Sequence, residues 1–172
     1  MRALRFAMAM IVAALLQFVG MQLFPWFTLA VDFFLVIVVF NALDGSTLAG
    51  MTGGCAAGLL TDALTGGPFG LFGIANTVVG YGTATAAQRL VIQRASSSLL
   101  VFCLAAAAQQ AVVLALALLL LPSPGAPDVR WIAVKVATSG VLGLALYLGR
   151  GRFTSRMEVW RRTRTSKVRF GR

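Results

Sequence analysis

The residues that could do chemistry inside this chain are few. Asp32 and Asp62 lie in or beside apolar stretches, where an ionisable group is costly and is therefore a functional hypothesis by default. Two carboxylates on one side of a membrane could form a cation or proton site. Alternatively, Asp62 caps a turn and Asp32 bonds a neighbouring helix. We favour this second interpretation, because both residues are predicted near an interface, where ionisation costs less.

Other chemistry-bearing residues are missing or isolated. The chain has no histidine, and Cys55 and Cys103 lie in apolar runs, where a thiol usually behaves as a small hydrophobe. No second ligand stands at metal-binding spacing. The motifs of phosphate-binding loops, serine hydrolases and zinc proteases do not occur in the sequence. We therefore expect no catalytic residue, no cofactor and no metal ion.

The composition indicates the environment of these residues. Hydrophobic residues make up 59% of the 172 and charged residues 12%, against about 45–50% and 25% in soluble domains. A chain this apolar has too little polar surface to cover a water-facing globule. A soluble enzyme, a disordered tail and a disulfide-framed secreted module are excluded. The sequence predicts an integral membrane protein.

Six apolar stretches predict an all-α polytopic bundle of six transmembrane helices at residues 1–149. The spans lie near 6–24, 26–43, 47–60, 69–87, 99–121 and 131–149. The third is short, because a spanning helix needs about 20 apolar residues. Residues 150–172 form a basic tail.

Basic residues predict the orientation. Six spans put both termini on one side, and that side then holds thirteen basic residues, nine of them in the tail. The other side holds Arg130, together with Lys135 if its ammonium reaches outward from one turn inside the last helix. Because cytoplasmic loops carry the excess of basic residues, we expect both termini in the cytoplasm.

A glycine-rich segment is the most distinctive pattern. Gly50, Gly54 and Gly58 repeat at four-residue spacing, which allows close helix packing in lipid. We favour packing within the bundle over contact with a partner. A predicted turn follows, with the motif residues Gly66, Gly67, Pro68 and Gly70.

The tail has a helical pattern. Phe153, Met157 and Trp160 share one helical face, and the basic residues around them include Arg161, Arg162 and Arg164. This predicts an amphipathic helix on an anionic membrane surface. The alternatives are a topology-setting charge cluster and contact with an acidic patch on a cytoplasmic filament. Because the charge is in a tail beside the membrane, we expect lipid headgroups or an acidic partner and no nucleic acid.

Over Pro25–Arg94 the chain resembles the MreD family of bacterial rod shape-determining membrane proteins. The segments that carry the resemblance, in the family's order, are Val31-Asp32-Phe33-Phe34-Leu35-Val36, Gly58-Leu59-Leu60-Thr61-Asp62, Gly66-Gly67-Pro68-Phe69-Gly70-Leu71 and Val79-Gly80-Tyr81. Val31 stands where the family usually has proline.

The resemblance implies a non-enzymatic scaffold subunit of the cell-elongation complex in the bacterial inner membrane. It implies binding to the bitopic protein MreC, with MreB, RodA and penicillin-binding protein 2 as further candidate partners. It also implies a fold similar to the substrate-binding subunits of energy-coupling-factor vitamin transporters. Such a subunit is the alternative function, and the small-residue spacing of Ala9 and Ala13 is what favours it. A small ion-coupled transporter, built on Asp32 and Asp62, is a third possibility.

Overall fold

The computed structural model describes residues 2–24, 26–44, 46–66, 68–89, 95–120 and 129–169. Side chains are described within these ranges except at residues 2, 89, 95–97 and 150–169. This part of the chain is all-helical, with six long helices and one short one. They are α1 (Arg2–Leu23), α2 (Phe27–Ala30), α3 (Phe33–Asp44), α4 (Thr47–Thr65), α5 (Leu71–Arg89), α6 (Ala95–Leu120) and α7 (Val129–Arg169).

Four segments of the described chain are long and apolar enough to cross a membrane. They are Ala3–Leu23, Phe27–Asp44, Ser98–Leu120 and Val129–Gly149. The helices α4 and α5 are less apolar because glycine, threonine and other small or polar residues replace large aliphatic ones. The coarse expectation of an all-helical protein with membrane-spanning helices is therefore confirmed.

The helix α3 lies at the centre of the bundle. It contacts α1, α4, α5, α6 and α7. Its residues enter both apolar clusters of the core, one around Val39 and Phe102 and the other around Phe34, Val38 and Ala57. A helix that is hydrophobic on all sides is expected in such a buried position. The Phe40 and Phe102 rings, with centroids 5.1 Å apart, connect α3 to α6.

The second predicted span is not one continuous helix. The backbone of Val31 is extended (φ −133°, ψ 135°), and this separates α2 from α3. Hydropathy predicted a single helix over 26–43 because every residue there except Asp32 and a few small polar ones is apolar. The break follows from Asp32, because its side chain caps the N-terminus of a new helix.

The third span is longer than predicted. We expected it to end near Leu60, but α4 continues to Thr65 and has 19 residues. The polar residues Thr61 and Asp62 are buried and satisfied: the Thr61 hydroxyl donates to the Ala57 carbonyl at 3.0 Å. The helix ends at Gly66, whose φ of 66° is the left-handed conformation common at helix C-termini.

One end of the bundle gathers most of the described polar contacts between helices. We call it the Trp26 end and define it as residues 24–32, 61–73 and 129–135. Here the indoles of Trp26 and Trp131 stack with centroids 5.6 Å apart. The Thr138 hydroxyl, one turn further along α7, donates to the Ala30 carbonyl. These contacts fix α2 against α7.

Candidate functional site

Asp32 is the N-terminal capping residue of α3. Its Oδ1 accepts a hydrogen bond from the backbone N–H of Leu35 at 3.0 Å. Aspartate is among the preferred N-caps because its carboxylate satisfies an N–H group that has no partner inside the helix. The negative charge also lies at the positive end of the α3 dipole. This capping role explains why the chain breaks immediately before α3.

The other carboxylate oxygen of Asp32 forms a buried ion pair. The Nζ of Lys135, on α7, lies 3.3 Å from Asp32 Oδ2. Lys135 is 5% exposed and Asp32 is 3% exposed. The Lys135 ammonium therefore does not reach outward, and the condition for counting it with Arg130 on the opposite side is not met. An opposite charge within the bundle stabilises the ammonium there, so the side chain turns inward.

An amide network extends this pair to two more helices. The Nε2 of Gln109, on α6, donates to Asp32 Oδ2 at 2.9 Å and to the Asn76 Oδ1, on α5, at 2.8 Å. All four side chains are buried. The network thus connects α3, α5 and α6 through two hydrogen bonds, one of them to a charged group, and α7 through the ion pair. Such bonds stabilise helix contacts in a membrane, where apolar surfaces alone give little driving force.

Asp62 holds the turn between α4 and α5. Its Oδ2 accepts from the N–H groups of Gly70 at 2.9 Å and Gly73 at 3.1 Å, and its Oδ1 accepts from Phe72 N–H at 3.0 Å. The carboxylate therefore caps the first turn of α5 from the last turn of α4. The Phe72 ring lies 5.0 Å from Lys135 Nζ, a cation–π distance. Phe72 thus contacts both groups, Asp62 through its backbone N–H and Lys135 through its ring.

The glycine stripe of α4 faces the backbone of α5. A Cβ on Gly50, Gly54 or Gly58 would overlap the carbonyl group of Gly80, Asn76 or Phe72 respectively. The two helices consequently approach closely enough for backbone contact. This is the packing within the bundle that we favoured, and it uses all three glycines.

The remaining predicted residues are placed as follows. Of the turn motif, Gly66 and Gly70 have positive φ, which favours glycine, and Pro68 lies between them. Gly67 lies outside the described residues. The backbone of α7 is helical to Arg169. The tail side chains that we predicted on a membrane surface lie outside the described side chains: Phe153, Met157, Trp160, Arg161, Arg162 and Arg164.

Sequence reasoning missed the pairing of Lys135 with Asp32. The pair could have been predicted from the depth of the two residues in the membrane. Asp32 and Lys135 lie near the same side in the predicted topology, and opposite charges within a membrane usually pair. Among the described residues, no group of three or more His, Cys, Asp or Glu side chains could hold a metal ion. The network around Asp32 and Lys135 connects helices and neutralises buried charge.

The fold and this network define a helical membrane protein whose bundle is held at one end by buried polar side chains. A protein-family model described as rod shape-determining protein MreD matches residues 1–123. The chain therefore belongs to the MreD family, and the resemblance drawn from residues 25–94 is confirmed and extended to the first helix and the whole of the fifth predicted span. No curated protein and no solved structure matches the chain.

Proposed function

We propose that this protein is a non-enzymatic scaffold subunit of the bacterial cell-elongation complex in the inner membrane. In this role it binds the bitopic protein MreC and helps couple MreB filaments to RodA and penicillin-binding protein 2. The observation that carries the proposal is the family match over residues 1–123. Asp32 pairs with Lys135, and Asp62 accepts a hydrogen bond from the start of α5. These contacts stabilise the bundle itself, which supports a scaffold role.

The proposal includes six spans. The helices α4 and α5 have 19 residues each, which at 1.5 Å per residue gives about 28 Å, close to the thickness of a bilayer core. Their polar residues Asp62 and Asn76 are turned into the bundle. Six spans place both termini on one side, and the basic residues put that side in the cytoplasm.

The orientation is tested with a reporter fused after Arg172 that is active only outside the cytoplasm. We expect no activity, with the same reporter fused after a cleaved signal sequence as the positive control. Strong activity of the fusion after Arg172 would contradict the six-span arrangement.

The partner is tested by co-purification. The full chain, carrying an affinity tag, is extracted from bacterial membranes in mild detergent, and the bound proteins are quantified by mass spectrometry. We expect MreC to be enriched over a control purification of an equally tagged, unrelated six-span protein. Enrichment equal to the control would overturn the proposed partnership, and depletion of the chain without rounding of rod-shaped cells would overturn the shape function itself.

The vitamin-transporter alternative has less support. The cavity at the Trp26 end has a free volume of about 10 Å³, whereas sites for small organic ligands measure about 300–1,000 Å³. Ala13, which we considered as part of a docking surface, is buried in the cluster around Phe34 and Val38. A purified chain that retains a vitamin through detergent extraction would restore this alternative.

An ion-coupled transporter has less support for a different reason. One oxygen of Asp32 pairs with Lys135 and the other caps α3. Asp62 accepts three backbone hydrogen bonds. A cation bound at either carboxylate would have to displace these partners. Ion-dependent flux in proteoliposomes would contradict this reasoning.

A further inference from the structure

A small cavity at the Trp26 end borders the buried ion pair. It lies where α1, α4 and α7 meet the junction between α2 and α3, and its free volume is about 10 Å³. Polar groups converge on it from several elements. The lining residues used below are Gln17, Asp32, Phe34 and Lys135.

Gln17, which lines this cavity, carries an unpartnered acceptor. The side chain is 4% exposed, and its Nε2 donates to the Val31 carbonyl at 3.3 Å. Its Oε1 is buried and has no hydrogen-bond partner among the described residues. Buried acceptors in proteins are almost always paired, because an unpaired one loses its hydration without compensation. Gln17 therefore calls for a donor that the described chain does not supply.

Lys135 brings spare donor capacity to the same cavity. An ammonium carries three N–H groups. One is directed to Asp32 Oδ2, and the Phe72 ring lies on another side of the cation. An acceptor inside the cavity would give the ammonium a further hydrogen bond. A partner in the cavity that donates to Gln17 and accepts from Lys135 would satisfy both groups.

The size and chemistry of the site select the ligand. A metal cation cannot accept a hydrogen bond and would be repelled by the ammonium. A halide cannot donate to Gln17 Oε1. A larger polar molecule does not fit, because about 10 Å³ is close to the minimum for one water molecule. Water both donates and accepts, and buried waters typically make two to four such bonds.

We propose that one resident water molecule occupies this cavity and bridges Gln17 Oε1 to Lys135 Nζ. The water supplies the donor that Gln17 lacks, and it hydrates the ammonium of the Asp32–Lys135 pair. Hydration matters here because taking two ions out of water is expensive, even when they pair. This site goes beyond the scaffold role, and it holds whether or not the protein binds MreC.

The test is hydroxyl-radical footprinting of the full chain in lipid nanodiscs. X-ray radiolysis converts bound water into radicals in place, so side chains beside an internal water are oxidised although bulk solvent does not reach them. Phe34 and Phe102 are a matched pair: both are 1% exposed, but only Phe34 is among the residues that line the cavity. We expect Phe34 to be oxidised several-fold faster than Phe102.

Two variants test the bridge itself. Gln17→Leu keeps a similar volume and removes the acceptor, and Gln17→Met is measured in parallel so that the result does not depend on one variant folding. We expect the oxidation rate of Phe34 to fall to that of Phe102, while the rate of Phe102 stays unchanged. Equal rates for the two phenylalanines in the unmodified protein would overturn the proposal. A fast Phe34 that is insensitive to both substitutions would overturn the role of Gln17.

Discussion

Lys135→Met is the sharpest perturbation of the buried network. Methionine retains an unbranched apolar side chain and removes the ammonium that neutralises Asp32. The Asp32 carboxylate keeps its hydrogen bonds from Leu35 N–H and Gln109 Nε2, so each of its oxygens still has a donor. Removing one partner of a buried ion pair typically costs about 3–5 kcal/mol. Because two hydrogen bonds remain, we expect the lower value, a loss of about 3 kcal/mol in the free energy of unfolding.

A double-mutant cycle separates the pair from its surroundings. Asp32→Asn keeps Oδ1 as the cap of α3, but it turns an NH₂ group towards the donors Gln109 Nε2 and Lys135 Nζ. This single variant is therefore also destabilised. In Asp32→Asn/Lys135→Met neither charge of the pair remains. We expect the double variant to lose about 2 kcal/mol less than the sum of the two single losses, which is a typical coupling energy for residues in contact.

The assay is SDS-induced unfolding of the purified chain in detergent micelles, followed by tryptophan emission. Trp26 and Trp131 stack at the same end as the ion pair, so their emission reports its disruption. The control is Val134→Met, which introduces the same residue beside Lys135 at a position that is 40% exposed. This control should stay within about 0.5 kcal/mol of the unmodified protein. A loss below about 1 kcal/mol for Lys135→Met, or a coupling energy of zero, would refute the buried pair.

Three further predictions concern other parts of the chain. Gly54→Leu should destabilise the bundle by about 1–3 kcal/mol through overpacking against α5, whereas Gly82→Leu, where a Cβ meets open space, should leave the same unfolding curve unchanged. Asp62→Ala should lower the free energy of unfolding by about 2–3 kcal/mol, because it leaves three backbone N–H groups at the start of α5 without their acceptor. A peptide of residues 150–172 should show a blue shift of Trp160 emission with anionic vesicles at low salt, reversed by high salt. No shift would favour a topology signal or a filament contact instead.

The sequence predicts the helices of this protein well because their cause is local. Long apolar stretches can satisfy their backbone groups in lipid only as helices, so hydropathy finds them. The glycine spacing of α4 predicts a close helix contact for a similar reason, since only a missing side chain allows two backbones to touch. The partner helix α5 is also expected, because the short turn at residues 66–70 makes α4 and α5 neighbours.

The sequence fails where a polar residue has a partner far along the chain. Asp32 was expected to bond a neighbouring helix, but hydropathy could reveal neither that it caps a new helix within the predicted span nor that it pairs with Lys135, 103 positions later. The end of α4 was predicted too early for a different reason: Thr61 and Asp62 count as polar, although Thr61 donates to a carbonyl of its own helix and Asp62 accepts from the start of α5. In both cases hydropathy does not register that a buried polar side chain has a hydrogen-bond partner.

The position of the ion pair has a consequence for the basic tail. In a bilayer, apolar helix faces contact lipid almost as favourably as one another, so they define the rotation of a helix poorly, and polar contacts define it better. Lys135 and Thr138 bring such contacts to the first turns of α7. Because α7 is one helix from Val129 to Arg169, a rotation fixed near its start is carried along its whole length, about 60 Å at 1.5 Å per residue. The buried pair at the Trp26 end therefore helps to fix the rotation of α7 about its own axis, and the helical backbone carries that rotation to Arg169.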